Sequence, residues 1–339
     1  MRALITGGAG FIGTNLTDHL VNLGHEVVLL DNLSRAGVAD NARWLRERHP
    51  GVRLIEGDIR DSATVNDAVR GVDEIFHLAA QVAVTTSVRD PRSDFDTNLL
   101  GTFNVLEAAR QHAPEAPFFF TSTNKVYGGL EDLGVVRRDQ RYEFETLPTG
   151  VSEARPLDFH SPYGCSKGGA DQYVRDYGRI YGMRTVVFRM SCIYGPHQCG
   201  NEDQGWVAHF AREALAGRGL TIFGDGYQVR DLLYVADLCE AFRKAADLIP
   251  QTAGEIFNIG GGPANALSLR GVIGELESIL GRTIPVRFED WRPGDQRIYV
   301  TNVSRAAERF GWSPSTRCMD GIGRLVEWLR SPERPGVIA

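Results

Sequence analysis

Cysteine is scarce and unpatterned in this chain. Cys165, Cys192, Cys199, Cys239 and Cys318 are odd in number and scattered. With no Cys-x-x-Cys pair they read as reduced thiols, and neither a disulfide framework nor a zinc site is expected. His197 close to Cys199 reads as loop chemistry, and no metal is expected. No apolar run approaches the ~20 residues that span a bilayer, so no membrane partner is expected. Basic residues are not in excess: 37 Lys and Arg against 43 Asp and Glu leave a net charge of −6. That balance argues against a nucleic-acid or anionic-membrane binder. Internal repeats and low-complexity tracts are absent. Residues 1–6 run straight into a strand pattern and then glycines, without the regions of a signal peptide, so a cytoplasmic location is expected.

What is present fits a soluble globular protein: 339 residues, 42% hydrophobic and 24% charged, enough for one large or two intimate domains. A short apolar strand over 3–6 runs into Gly7-Gly8-Ala9-Gly10-Phe11-Ile12-Gly13, and a helix follows to about 23. Gly-x-x-Gly-x-x-Gly between strand and helix lets backbone approach a pyrophosphate at the helix N-terminus, and Gly13 allows close helix–strand packing. The next strand, over 26–30, ends in Asp31. An acid there accepts hydrogen bonds from the adenosine ribose and repels a 2′-phosphate, favouring NAD over NADP. The alternative is an ordinary loop aspartate, and Arg35 nearby keeps NADP open.

Strands and helices then alternate. Strands are expected over 52–56, 72–77, 117–121 and 185–189, and helices over 96–111 and 163–181. Such alternation gives an α/β fold with a parallel sheet covered on both faces. Ligands in these sheets sit beyond the strand carboxyl ends, where Gly7–Gly13, Asp31, Asp58, Ala79-Ala80-Gln81 and 121–127 all fall. Tyr163 and Lys167 are four apart and share a helix face. An ammonium beside a phenol favours the phenolate, which suits proton transfer as an alcohol becomes a ketone. Alone, the pair could equally be a surface feature.

After about 190 the rhythm loosens. Helices are expected over 206–216, 235–248, 269–280, 304–310 and 319–329, with short strands over 220–223, 255–259 and 286–288. Gly and Pro clusters interrupt them. The expected division is a first domain over 1–189, a smaller substrate domain over 190–330 with some interleaving, and a loose tail over 331–339.

These residues carry a family likeness. Gly7-x-x-Gly10-x-x-Gly13, Asp58-Ile59, His77-Leu78-Ala79-Ala80, Asn98, Thr121-Ser122-Thr123-x-x-Val126-Tyr127-Gly128 and Tyr163-x-x-x-Lys167 together resemble an extended short-chain dehydrogenase/reductase. Arg189, Tyr194-Gly195-Pro196, Arg230-Asp231, Phe257-Asn258-Ile259-Gly260 and Arg292-Pro293-Gly294-Asp295 extend the likeness through the second half. Within that group the chain resembles the NAD-dependent nucleotide-sugar epimerases and dehydratases. The resemblance implies a doubly wound Rossmann-type sheet with a smaller C-terminal α/β domain. It implies bound NAD, held by Gly7, Gly10, Phe11, Ile12, Gly13, Asp31, Asn32, Ser34, Arg35, Asp58, Ile59, Leu78, Ala79, Ala80, Gln81, Asn98, Thr121, Tyr163, Lys167 and Met190. Thr123, Tyr163 and Lys167 become the catalytic set: Thr123 bonds the reacting hydroxyl, Tyr163 takes its proton, and Lys167 holds the ribose and lowers the tyrosine pKa.

Asp40-Asn41, Trp44-Leu45, Ser122 to Gly128, Leu157 to Gly168 and Asp203-Gln204-Gly205-Trp206-Val207 resemble a narrower group, the CDP-tyvelose (CDP-paratose) 2-epimerases. That likeness implies inversion at C2 of a CDP-hexose through a 2-keto sugar. Direct removal of the C2 proton would need a base against an unactivated carbon, and no feature supports one. Dehydratase relatives carry Asp-Glu where this chain has Asn124-Lys125, which argues against 4,6-dehydration. Asn124 reads as a ligand of a sugar hydroxyl or as a turn residue. Arg230 and Arg297 are the diphosphate candidates. Gln81, Thr85 and Thr86 are expected at the sugar, and Gln204, Trp206 and Val207 at the nucleotide. Cys192 stands where many relatives carry Asn. His160 is expected to pack or cap. The helices over 96–111 and 163–181 imply a homodimer or a dimer of dimers. The rival activity is 4-epimerisation of a UDP- or other NDP-hexose. A rival of another class is a regulatory NAD-binding protein without turnover.

Overall fold

The structure is a computed structural model in which residues 1–292 and 295–331 are described. Seven parallel strands form its main sheet: β1 (Arg2–Thr6), β2 (Glu26–Asp31), β3 (Arg53–Glu56), β4 (Glu74–His77), β5 (Phe118–Thr123), β6 (Thr185–Met190) and β7 (Glu255–Ile259). Their order across the sheet is β7-β6-β5-β4-β1-β2-β3, and each adjacent pair is parallel. The chain moves outward from β1 to β3, then returns to the other side of β1 with β4. The crevice beyond the carboxyl ends of β1 and β4 is therefore the topological switch point, where such sheets bind ligands. The strands are near-continuous apolar runs because both faces are covered.

One face is covered by α1 (Phe11–Asn22) through Leu16 and Leu20. The other is covered by α2 (Gly101–His112) and α3 (Ser161–Tyr181), through Val105, Leu106, Val174 and Tyr177. Phe76, Phe119 and Phe188 from adjacent strands meet Phe242 in a buried aromatic cluster. Each such ring contributes roughly 1.5–3 kcal/mol by leaving water.

The second half does not stand apart. Phe242 lies on α5 (Val235–Asp247), which packs beside α1 on the first-half sheet. Strand β7 pairs with β6 from Glu255↔Val186 to Ile259↔Met190. The core of the sheet thus crosses the expected boundary at 190. A separate hydrophobic cluster gathers α4 (Trp206–Leu215) with the helices Leu269–Leu280 and Cys318–Arg330. Beside it, the strand Val229–Tyr234 pairs with Cys192–Tyr194, Ala266–Ser268 and Ile298–Tyr299.

Local differences from expectation have physical causes. The helix expected over 96–111 opens with a π turn at Asp96–Leu100 and becomes α-helical only from Gly101. Asn98 sits in that turn, and its amide bonds to three neighbouring segments hold the wider geometry. A hairpin, Val135–Arg138 with Arg141–Phe144, joins the fold where no strand was expected. Of the expected loose tail, 332–339 lie outside the described residues, as do Pro293 and Gly294 of the Arg292-to-Asp295 motif. No helix among the described residues is long and apolar enough to cross a membrane.

Candidate active site

A cavity of about 600 Å³ opens at the switch point. Gly7 adopts φ +68°, and a Cβ there would lie 2.7 Å from the Ala79 amide nitrogen. At Gly13 a Cβ would lie 2.4 Å from the Gly7 carbonyl oxygen. Any side chain at either place would push α1 off the β1 and β4 strand ends. Gly10 begins α1 with no side-chain cap, so the first-turn amides are left for an anion. Asp31 binds the glycine loop: its carboxylate accepts from Ala9 N–H at 3.0 Å and Leu33 N–H at 2.9 Å. Burial pushes its pKa up, while these amides and Arg35 pull it down.

Uncapped amides and an acid on one wall are the donor and acceptor set that a dinucleotide needs. Gly7, Gly10, Phe11, Ile12, Gly13, Asp31, Asn32, Ser34, Arg35, Ile59, Leu78, Ala79, Ala80 and Gln81 line this cavity. Other expected cofactor residues stand behind it. Asp58 accepts from Arg60 and Asn32, and the Arg60 guanidinium holds its carboxyl well below the usual range. Asn98 is buried and bonds both backbone groups of Gln81. The Thr121 hydroxyl donates to the His77 carbonyl. Met190 pairs in register with Thr123 and Ile259.

A second cavity, of about 350 Å³, adjoins the first, and Val82, Asp203 and Gln204 line both. Thr85, Thr123, Asn124, Tyr163, Cys192, Gln204, Trp206 and Arg230 line it as expected substrate residues. Thr123 ends β5, and its hydroxyl caps the turn Asn124–Tyr127 by accepting from Lys125 N–H at 3.2 Å. Tyr163 stands in the first turn of α3, where its N–H donates to Ser87 Oγ at 3.1 Å. Arg189 fixes the floor behind them: it grips buried Asp171 through two bonds of 2.9 Å. It also donates to the Tyr127 hydroxyl, which donates to Asn258.

Four placements differ from expectation. Arg297 is exposed beside the Tyr142 ring, away from the cavity. Arg292, earlier in the same segment, lines the cavity instead, donates to the Glu202 carbonyl and pairs with Asp203 at 3.2 Å. Val207 is core, buried with Phe210 and Ala211. Gln81 turns back on its own loop, bonding both the carbonyl and amide of Ala83, and Thr86 lines the first cavity. His160 pairs at the surface with Asp158. His197 packs between Trp44 and Trp328.

The electrostatics also depart from expectation at Tyr163. Burial pushes its phenol up to about 12, opposed by the hydrogen bond to Thr123. Asp94 raises its pKa further and Arg35 lowers it. The Lys167 ammonium lies 4.1 Å from the centre of the Phe120 ring. Burial pulls it down to about 7, against Asp171 and Asp94. Burial thus acts against the charged form of both side chains, the phenolate of Tyr163 and the ammonium of Lys167. Lys125, Arg292, Asp203 and Asp295 also line the second cavity; they fall in motifs of the resemblance, but no spacing in the sequence assigns them to the site.

The NAD dependent epimerase/dehydratase family matches residues 3–260. The chain belongs to that family. Among its relatives, CDP-paratose 2-epimerase of Salmonella typhi is 41% identical over 98% of this chain and 100% of its own. The dTDP-glucose 4,6-dehydratase of Streptomyces antibioticus is 33% identical over 97% and 92%. The crystal structure of Thermus thermophilus UDP-glucose 4-epimerase in complex with NAD superposes with a TM-score of 0.81 and 34% identity, covering 98% of this chain and 100% of the other. This member of the family is an NAD-dependent enzyme of the nucleotide-sugar epimerase/dehydratase type, and NAD is its cofactor. The cavity fits that cofactor on its own chemistry: the Gly10–Gly13 amides suit the pyrophosphate and Asp31 the ribose diol.

Proposed function

We propose that the enzyme inverts C2 of a CDP-linked hexose, of the CDP-paratose or CDP-glucose kind, through transient oxidation to a 2-keto sugar. The observation that carries this reading is the 41% identity, end to end, with a CDP-paratose 2-epimerase. The site supports it. Beside Thr123 and Tyr163 stand Asn124 and Lys125, neither a carboxylate that could remove a sugar C–H proton and protonate a leaving hydroxyl. Dehydration is therefore disfavoured, and oxidation followed by re-reduction is what remains.

NAD, when bound, supplies the two-electron acceptor and donor. The chain's residues handle the proton and the pose. Thr123 holds the C2 hydroxyl while Tyr163, as the phenolate, takes its proton, and the phenol so formed returns a proton to the ketone oxygen. Net proton exchange is zero over a turnover. Arg230 and Arg292 suit the diphosphate, which stays anchored while the hexosyl ring presents its other face. The test is a panel of CDP-, UDP- and dTDP-hexoses incubated with the purified enzyme and read by NMR. The reading predicts a C2 epimer from the CDP sugar, whereas a C4 epimer from the UDP sugar alone would replace it with 4-epimerisation.

We further propose a homodimer built on α2 and α3. Phe103 on α2 and Tyr173, Ile180 and Tyr181 on α3 are exposed, with Phe95 and Leu100 just before them. A cluster of large apolar side chains on paired helices suits burial against a second copy. Light scattering at twice the monomer mass supports it, and a monomer at micromolar concentration contradicts it.

A further inference from the structure

Lys125 is the residue of the second cavity that this account has not yet used. Its backbone is fixed next to the reacting pair: its N–H donates to the Thr123 hydroxyl at 3.2 Å. Its carbonyl packs against Gly164 at the start of α3, where a Cβ would lie 3.6 Å away. The side chain lines the cavity with Thr123, Tyr163 and Arg230. Among the described residues its ammonium has neither an ion pair nor a hydrogen bond. Asp295, a carboxylate that acts on its charge, already holds Arg230 at 2.6 Å. Of the three cations that line the cavity, Arg230 is paired with Asp295 and Arg292 with Asp203, which leaves the Lys125 ammonium as the charge without a partner among the described residues, an arrangement that an entering anion would relieve.

We infer that Lys125 is a specificity residue whose ammonium binds the phosphate oxygen on the anomeric carbon and thereby brings C2 to Thr123 and Tyr163. This rests on the C2 reading above. C2 is bonded to the carbon that carries the phosphate, whereas C4 lies across the ring. A cation held beside Thr123 draws the phosphate end toward the reacting pair, and the neighbouring carbon follows. A sugar reacting at C4 would point its phosphate away from this lysine. An ammonium here has a second merit. A ketone at C2 acidifies the adjacent C–H bonds, and a protonated lysine cannot take those protons as a carboxylate could. Burial and Arg230 pull Lys125 down to about 8, so the charged form still dominates at neutral pH.

The test compares wild-type holoenzyme with Lys125→Gln and Lys125→Arg. Each is titrated with CDP and with cytidine, then incubated with a CDP-hexose and a UDP-hexose. Losing one charge-assisted contact predicts CDP binding about tenfold to a hundredfold weaker in Lys125→Gln, with kcat/KM falling alike. Cytidine, which lacks the phosphates, should bind all three proteins equally, which also shows that the variants fold. Lys125→Arg should keep CDP affinity within a few-fold. Unchanged CDP affinity in Lys125→Gln would overturn the contact, even if the wild type inverts C2. Weakened CDP binding with wild-type turnover only at C4 would overturn the C2 selection and leave the diphosphate contact standing.

Discussion

The Tyr163 phenol and the Thr123 hydroxyl meet at the second cavity, where the first turn of α3 faces the last residue of β5. Both elements are anchored in the buried core of the sheet, so the pair is held by rigid structure rather than by a loop. Tyr163→Phe removes the proton acceptor and leaves the ring. A drop in kcat of about 10²- to 10⁴-fold is expected, with NAD content and CDP affinity retained. Steady-state kinetics and a cofactor assay check this, and a variant with full turnover would remove Tyr163 from the chemistry.

Lys167 carries a pH signature in stability. Its pKa falls from the ordinary 10.5 to about 7 in the folded state, chiefly by burial. Between these values the folded protein binds fewer protons at this residue than the unfolded chain does. Stability therefore rises with pH across about 7 to 10.5 on its account. Relative to Lys167→Met, the wild type should gain stability as pH rises through that window and stay level below it. Urea unfolding of both proteins from pH 6 to 10 measures the difference, and a constant offset would contradict the assignment.

The diphosphate assignment separates two neighbouring arginines. Arg292→Ala should raise KM for the nucleotide sugar by about tenfold to a hundredfold, the loss of one charge-assisted hydrogen bond. Arg297→Ala should change it little, because that side chain lies exposed beside Tyr142. Equal effects from the two variants would show that Arg292 does not hold substrate.

Gly13→Ala places a methyl 2.4 Å from the Gly7 carbonyl and 2.6 Å from Gly8 Cα. Backbone cannot give way as a side-chain tip can, so a cost of roughly 1–3 kcal/mol is expected, with loss of bound NAD. Thermal unfolding and cofactor content report the two effects separately. Wild-type values for both would contradict the close approach of α1 to the glycine loop.

The first half of the site was legible because its chemistry is contiguous. Gly7 to Gly13, Asp31 and the Tyr163–Lys167 pair each lie within one strand-to-helix junction or one helix, where spacing alone fixes what faces what. The second cavity is assembled from segments far apart in the chain, among them 82–85, 123–125, 191–206 and the pair Arg292 and Asp295. Arg292 belongs to the Arg292-to-Asp295 motif and Arg297 does not, yet only tertiary packing brings Arg292 to the cavity and leaves Arg297 beside Tyr142. Lys125 was read only as a missing carboxylate, since its approach to Arg230 and Asp295 depends on tertiary packing. The sheet was anticipated, and so was some interleaving, but not that α5 and β7 are the segments that share the first-half core, because apolar periodicity shows that a face is buried and not against what.

Deuterium placed at C2 of CDP-paratose or CDP-glucose tests the central claim most directly. The substrate is incubated with holoenzyme, and the C2 configuration and label are followed by NMR. Inversion at C2 with the deuterium retained is the predicted result, since hydrogen that leaves and returns as hydride does not exchange with solvent. Inversion with the label lost to water would contradict oxidation and re-reduction, and a label left in place with no inversion would contradict C2 as the reacting carbon.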